Sequence, residues 1–317
     1  MQGGERYNSI NDYLKSVFGK KTVKLSIDAG FTCPNRDGSK GFGGCAFCSG
    51  EGSGDLASHL DISSKNSLSA ANISDSITEQ INRLSSKWHD TAYLAYFQSF
   101  TNTYASIERL RRIYYAALSD ERISGIAIAT RPDCLSDEVL ELLDEINKEH
   151  FLWVELGLQS IHAETQQSMN LCYKTSDYDR AAAELARRDI RFVTHIILGL
   201  PGETEEMILD SVRYVCSSNL PCPFGIKLHL MNIVKTAPLY SAMPDYKPFE
   251  SIDEYVDLAV RCLEIIPADI TIHRLTGDVP RKILVSPEWS YRKRTILNKI
   301  NKELALRDTR QGAKIQK

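Results

Sequence analysis

Cys33, Cys45 and Cys48 stand in the stretch TCPNRDGSKGFGGCAFCSGEGSGD, directly after a β-type apolar segment. Cysteine thiolates select soft and borderline metals, so three of them close in sequence point to a metal centre. Cys45 and Cys48 enclose two residues, a reach that lets both sulfurs meet one centre. Cys33 returns across eleven residues stocked with Gly38, Gly41, Gly43 and Gly44. A structural zinc site closes four ligands, and the CxxC pairs of ferredoxins come with a fourth cysteine. Here no fourth cysteine is nearby. The incomplete set suggests an iron–sulfur cluster with one iron left open to another ligand.

The elements that must position such a centre show in the apolar pattern. β-rich segments alternate with longer amphipathic ones from Thr22 onward, the rhythm of βα units and a parallel sheet. Seven strands are expected: Val23–Asp28, Ala92–Gln98, Gly125–Thr130, Trp153–Leu158, Arg191–Leu198, Gly225–Leu230 and Ile270–His273. Helical spacing follows Asn72 (Ile73, Ile77, Ile81, Leu84) and Ser136 (Val139, Leu140, Leu143, Ile146), and Ser176, Thr204 and Ser251 start later helices. Ser9–Phe18 reads as a short amphipathic helix covering one barrel end, Tyr291–Leu306 as a helix and Asp55–Ser69 as a mobile loop. The expected fold class is α/β, a partial (β/α) TIM-like barrel of six or more parallel strands with short N-terminal and C-terminal helical extensions. Pattern alone also admits a complete barrel or an open doubly wound sheet. The expected division is an extension over 1–21, the barrel over 22–280 and a basic extension over 281–317.

In a (β/α) barrel the active site is built on the loops that follow the strands' C-terminal ends. The polar residues that interrupt the apolar pattern gather there. Gln98, Ser99, Thr101 and Asn102 follow the second strand, and Thr130, Arg131 and Asp133 the third. Glu155 and Gln159 lie on or beyond the fourth, and His195 sits on the fifth, ahead of GLPGET. A carboxylate in an apolar strand is costly unless it is paired. Lys227 and His229 alternate with Ile226 and Leu228, so if the apolar pair faces the helices, the lysine and histidine face the interior. A lysine pointing inward needs a partner or a substrate, and the same reasoning extends to His273 and Arg274. His195 reads equally well as a core histidine bonded to a carbonyl, and Asp278 as a turn residue.

The composition is ordinary for a globular protein: 317 residues, 43% apolar and 25% charged. No apolar run reaches membrane-spanning length, and MQGGERYNSINDY lacks the basic-then-apolar layout of a signal peptide. A cytoplasmic protein with no membrane partner is expected, and its eight cysteines are then ligands or free thiols. Cys134, Cys172, Cys216, Cys222 and Cys262 lie singly and read as structural. The net charge is −3, unevenly spread: 281–317 holds 11 Lys+Arg against 3 Asp+Glu, on a body holding 27 against 38. A basic tail on an acidic body suits a phosphate-bearing partner or a solvated terminal helix.

Beyond the cysteines, YFQSFTNTY, TRPDCL, ELGLQS, HIILGLPGET, GIKLHLMNIVKT and IHRLTGD follow in an order that resembles the radical S-adenosylmethionine enzymes. Most of that superfamily carries CxxxCxxC. The longer spacing here resembles its YhcC/YtqA branch, related to the radical domain of the Elongator catalytic subunit and to oxygen-independent coproporphyrinogen oxidase. The resemblance implies a 4Fe-4S cluster on Cys33, Cys45 and Cys48, S-adenosylmethionine on the open iron, and a 5′-deoxyadenosyl radical formed on reduction. It places Phe47 against the adenine. Gln98–Asn102 takes the place of the turn that binds the methionine ammonium, without its Gly-Gly pair, which leaves backbone carbonyls and the side chains of Ser99 or Thr101 to serve. Cofactor contacts are expected of Thr130, Arg131, Glu155, Gln159 and His195, and the inward alternation of Lys227 and His229 suggests catalytic roles for them on the substrate side. Relatives carry Asn-Arg-Gly-His where this chain has Asn170, Leu171, Cys172, Tyr173 and Lys174. Arg131 or Lys174 would then replace the missing arginine.

Group members of this type are associated with the wobble uridine of transfer RNA, which makes transfer RNA the expected partner. Flavodoxin or ferredoxin is the expected electron donor. Trp289, Tyr291 and Arg292 offer stacking groups to a single-stranded loop, unless the aromatics pin the tail to the barrel. The alternatives are a radical enzyme for a small molecule such as a tetrapyrrole, a zinc protein using the three cysteines and His59, and a non-enzymatic RNA-binding adapter.

Overall fold

The computed structural model describes residues 6–50, 52, 58–59, 70–85 and 90–315. Of the Asp55–Ser69 stretch only the backbone of Ser58–His59 is described, so its reading as a loop, and His59 as a ligand, lie outside the described residues. Helix α1 (Ile10–Phe18) is capped by Ser9, whose hydroxyl accepts from the Asp12 amide. There follow β1 (Lys21–Asp28), β2 (Ser58–His59), α2 (Ala70–Ser85), β3 (Thr91–Phe97), α3 (Ile107–Leu118), β4 (Ile123–Thr130), α4 (Asp137–Glu149) and β5 (Phe151–Gln159). Next come α5 (Ala163–Ser168), α6 (Thr175–Arg187), β6 (Arg191–Leu198), α7 (Glu205–Val215), β7 (Gly225–Leu230), β8 (Ile233–Val234) and α8 (Pro238–Ala242). The chain ends with α9 (Ile252–Ile265), β9 (Thr271–Arg274), β10 (Leu284–Ser286) and α10 (Lys293–Leu306).

All seven expected strands form. Ser136, Thr204 and Ser251 cap their helices through their hydroxyls, whereas α2 begins at Ala70, two residues before the expected cap Asn72. The main sheet runs β2-β1-β3-β4-β5-β6-β7-β9, parallel throughout. A doubly wound sheet reverses its strand order and carries helices on both faces. Here the order runs one way from β1 through β3 to β9, with only the two-residue β2 added outside β1, so right-handed crossovers put the helices that link these strands on one face and the sheet curls around the other. The result is a partial TIM-like barrel.

The two faces have different cores. Outside, Leu25, Ile27, Phe97, Ile126, Ile128, Val154, Ile226 and Leu228 pack under the helices. Inside, Leu94, Tyr96, Ala127, Trp153 and Val193 meet Ile10 and Leu14 of α1, which plugs the barrel's N-terminal end. The plug is anchored at the sheet edge, where Ser9 bridges Ile272 and the Ile272 amide donates to the Asn8 carbonyl at 2.7 Å. Residues 281–315 wrap the outside: β10 pairs with β8, and Ile296, Ile300 and Leu304 of α10 are buried in the outer core. All eight cysteines are free, and no helix among the described residues is long and apolar enough to cross a membrane.

Leu14→Ala should remove the centre of the plug and destabilise the fold by about 2–5 kcal/mol. A lowered urea midpoint with an unchanged slope is the expected result.

Candidate active site

The three cysteines line one cavity of about 250 Å³ at the C-terminal end of the strands. Their loop is folded by its own backbone: the Arg36 amide donates to Cys33 O, Gly44 to Asn35 O and Cys48 to Cys45 O, at 2.8–3.0 Å. Gly43 and Gly44 both lie at φ +79°, where a side chain would be strained. Gly41 is needed for a different reason, since a Cβ there would meet Asn35 Oδ1 at 2.3 Å and Cys172 Sγ at 2.9 Å. The segment after α5 clamps this loop. Ala46 N donates to Met169 O at 2.9 Å, and Asn170 Nδ2 donates to the carbonyls of Gly44 at 2.8 Å and Phe42 at 3.2 Å. From the other side Leu239 N donates to Ala46 O at 2.8 Å. Asn170 and Cys172 sit at positive φ, +52° and +56°, to make these contacts.

The Cys45 thiol is pushed well up, by its hydrogen bond with Cys48 first and burial second, with Cys33 adding to the effect. The three sulfurs thus sense one another. Among the described residues no three His, Cys, Asp or Glu side chains converge on a point that would hold one ion. A polynuclear cluster spreads its irons over separate thiolates and does not need such a point. The donor set therefore fits a cluster.

Beneath the cysteines lies a floor built around Glu155, which is fully buried. Its Oε2 accepts from the Tyr96 hydroxyl at 2.6 Å, from His195 Nε2 at 3.1 Å and from the Lys227 ammonium; its Oε1 accepts from Trp153 Nε1 at 3.0 Å and faces Lys24 Nζ at 3.9 Å. Burial alone would raise the Glu155 carboxyl, but Lys227 first, then Lys24 and His195, outweigh it and hold the group well below the usual carboxylate range. Burial pulls Lys227 down against the pull of Glu155. It also lowers His195 to about 4, with Lys227 assisting, and pushes His229 and His273 well down. The floor is an ion pair ringed by neutral imidazoles and a neutral phenol.

Of the residues singled out in the sequence, Phe47, Gln98, Thr101, Thr130, Arg131, Glu155, Gln159, His195 and His229 line the cavity with the cysteines. Phe47 also packs against the buried cluster of Met169, Leu171, Tyr173 and Leu239 beneath the CxxC turn. Gln159 has φ +69°, and a Cβ on Gly157 would meet its Nε2 at 2.6 Å. Thr130 Oγ1 shares a hydrogen bond with Thr103 Oγ1. Lys227 and Ser99 do not line it: Lys227 lies under the floor and is 1% exposed, and Ser99 is wholly buried, its hydroxyl without a partner among the described residues. The Arg131 guanidinium is committed to Asp133 at 2.9 Å through two nitrogens and to the carbonyls of Leu171 and Cys172 at 2.9 and 3.2 Å. It holds the segment that holds the cysteine loop. Sequence reading missed Lys24 and Tyr96. Both lie at inward positions of strands whose alternation could have been read as it was for Lys227.

Residues 33–215 match the model of the Radical SAM superfamily, and residues 223–305 that of the Radical SAM C-terminal domain. The chain belongs to the radical SAM superfamily, whose cofactors are a 4Fe-4S cluster and S-adenosylmethionine. It is 40% identical to YtqA of Bacillus subtilis (strain 168) over 318 residues, which cover 99% of this chain and 94% of that protein. A tRNA uridine(34) acetyltransferase of Methanocaldococcus infernus is 22% identical over 182 residues, 57% of this chain and 33% of that longer one. Among solved structures, the archaeal Elp3 of Methanocaldococcus infernus, lacking its N-terminus, superposes with a TM-score of 0.63 at 16% identity. The match covers 92% of this chain and 64% of that one, and it shows the shared fold.

Glu155→Gln should cost about 3–5 kcal/mol, because it leaves the Lys227 charge buried without its counter-ion. The depressed carboxyl also sets a sign. Its stabilisation is complete above the ordinary value of 4.5 and is lost as pH falls through the lower folded value. Urea titrations from pH 7 to 3 should show this acid-side decline in the wild type and a shallower one in the variant.

Proposed function

We propose that this radical SAM enzyme acts on transfer RNA at the wobble uridine, modifying the substituent at the 5-position of the base. The observation that carries the reading is an exposed tyrosine flanked by two guanidinium groups, one of them just after the segment that lines the cavity. Tyr291 is 39% exposed, with the Arg281 guanidinium 4.5 Å and that of Arg292 5.6 Å from its ring centroid. Arg281 follows Val279, which lines the cavity with Asp278, by only two residues. Cations bind phosphates, and exposed aromatic faces stack on the unpaired bases of an anticodon loop. Trp289, by contrast, pins the tail, packing against the outer core with its ring 6.1 Å from Tyr255. Part of the tail's charge is spent on the acidic body: Lys293 pairs with Asp278, Lys299 with Asp253, Arg307 with Asp257 and Lys314 with Glu264. Support also comes from the likeness to the tRNA uridine(34) acetyltransferase, 22% identical over 182 residues.

In this reading Cys33, Cys45 and Cys48 hold the cluster, and Phe47, Gln98, Thr101, Thr130, Gln159 and His195 surround the cofactor. When bound, cluster and cofactor supply a 5′-deoxyadenosyl radical that takes a hydrogen atom from the substrate. The chain's own part is to orient and to exclude water. Arg131 fixes the clamp on the cysteine loop, and Lys227 acts as a positioning residue that keeps Glu155 ionised under the cavity. Ser99, buried away from the cavity lining, contributes through its backbone. Radical SAM enzymes need an electron donor, and a flavodoxin or ferredoxin in the cytoplasm fits a protein whose thiols are all free.

Anaerobic reconstitution should give a brown protein that releases 5′-deoxyadenosine on reduction, and Cys45→Ala should abolish both signals. Radical formation that survives this substitution would refute the ligand assignment. For the substrate, mass spectrometry of transfer RNA from a strain lacking the gene should show a changed wobble nucleoside, and an unchanged profile sinks the reading. Replacing Arg281 and Arg292 together with Gln should lower the slope of log affinity against log salt by about 0.7–0.9 per lost phosphate contact.

A further inference from the structure

Arg274 lines the cavity near the free edge of the sheet, yet among the described residues its guanidinium makes no hydrogen bond. Its ion pair is with Asp278 at 3.6 Å, and that carboxylate is already engaged by Lys293. Five N–H donors on a cavity wall are thus left for something else. His229, on neighbouring β7, also lines the cavity, and its Nε2 is buried with no partner among the described residues. A buried, unpaired polar atom is costly, and such atoms in native folds mark a missing ligand or water. Lys24 stands on β1, at the other side of the gap in the barrel. It is spent on nothing closer than Glu155 at 3.9 Å and the rings of Tyr96 at 4.6 Å and Trp153 at 5.8 Å.

The charge of this wall follows from the groups that face it. Lys24, Lys227 and Arg274 are cations; Glu155 and Asp278 are anions; Tyr96, His195, His229 and His273 are neutral. Glu155 is saturated by the donors of the floor, and Asp278 is shared with Lys293. The excess is positive, and it is presented by the donors that have no partner.

We propose that Arg274 and His229, with Lys24 at the edge, form an anion-binding subsite in the barrel that takes a carboxylate or phosphate group of the substrate. It rests on the reading of this cavity as the reaction chamber but not on transfer RNA as the partner: a nucleotide phosphate and the carboxylate of a small metabolite present the same chemistry. A bidentate guanidinium contact, supported by a neutral imidazole N–H, is suited to either.

The test titrates inorganic phosphate into the full-length, anaerobically reconstituted enzyme saturated with S-adenosylmethionine, at constant ionic strength in chloride, and follows the phosphorus resonance linewidth. Saturable binding is expected. Arg274→Gln should weaken it by about tenfold or more, the scale of a lost charge-assisted hydrogen bond, whereas Arg274→Lys should keep most of it. Arg213→Gln, on α7 with Glu206 and Asp210 as its partners, should change nothing. If the Gln variant fails to fold, His229→Gln carries the test and should also weaken binding. No saturable binding to the wild type, or equal affinity in the variants, overturns the proposal. So does phosphate binding that is strong only without S-adenosylmethionine, which would assign these donors to the cofactor's own carboxylate. Failure to form 5′-deoxyadenosine would count against the enzyme reading instead, since the phosphate titration does not depend on turnover.

Discussion

An ionised carboxylate sealed inside the barrel is the constraint to which the rest of the molecule answers. A buried charge costs several kcal/mol unless partners surround it, and Glu155 draws its partners from β1, β3, β5, β6 and β7. Those contacts are compatible with only one register. A one-residue slip in any of these strands would turn its donor to the helix side and leave the carboxylate short. The apolar outer face alone would tolerate more variation, because aliphatic packing is less directional than hydrogen bonds. The polar floor therefore fixes the relative heights of the strand ends, and with them the loops that carry the cysteines and cavity walls.

Above that floor, the cysteine loop depends on a segment far away in sequence. Asn170, Met169 and Leu239 hold its backbone, and Arg131, locked to Asp133, holds the carbonyls of Leu171 and Cys172. Asn35 closes the circuit by donating to the Asn170 carbonyl. The longer spacing between Cys33 and Cys45 is thus filled by ordered turns, not slack. The departure from the Asn-Arg-Gly-His pattern has a structural counterpart: here the segment is an anchor for the cysteine loop.

Much of this was legible in the chain. The strands could be read because period-two and period-3.6 patterns report burial directly, and the cysteines because thiolate spacing is chemically narrow. Helix starts were legible where a hydroxyl caps the first turn, as at Ser136, and slipped where it does not, as at Asn72. The partner of Lys227 was harder to see. Alternation puts a lysine inside, but which carboxylate meets it depends on how strands 72 residues apart in sequence align. Arg131 illustrates the same limit. Its type and place suit a ligand contact, while its two bonds to Asp133 and two to carbonyls follow from the turn geometry of Pro132–Cys134.

The main sheet is a ribbon that ends in β2 and β9, and α1 crosses the gap at one rim only, against β9 and against β1, the neighbour of the two-residue β2. Mechanically this is a clasp hinged at the bottom. Spreading the upper rim breaks no ladder hydrogen bond among the described strands, because none joins β2 to β9. A closed barrel admits only what fits its mouth. Here, among the described strands, no ladder joins the two ends of the sheet, so the upper rim is held by loop and side-chain contacts, which are more local than strand pairing.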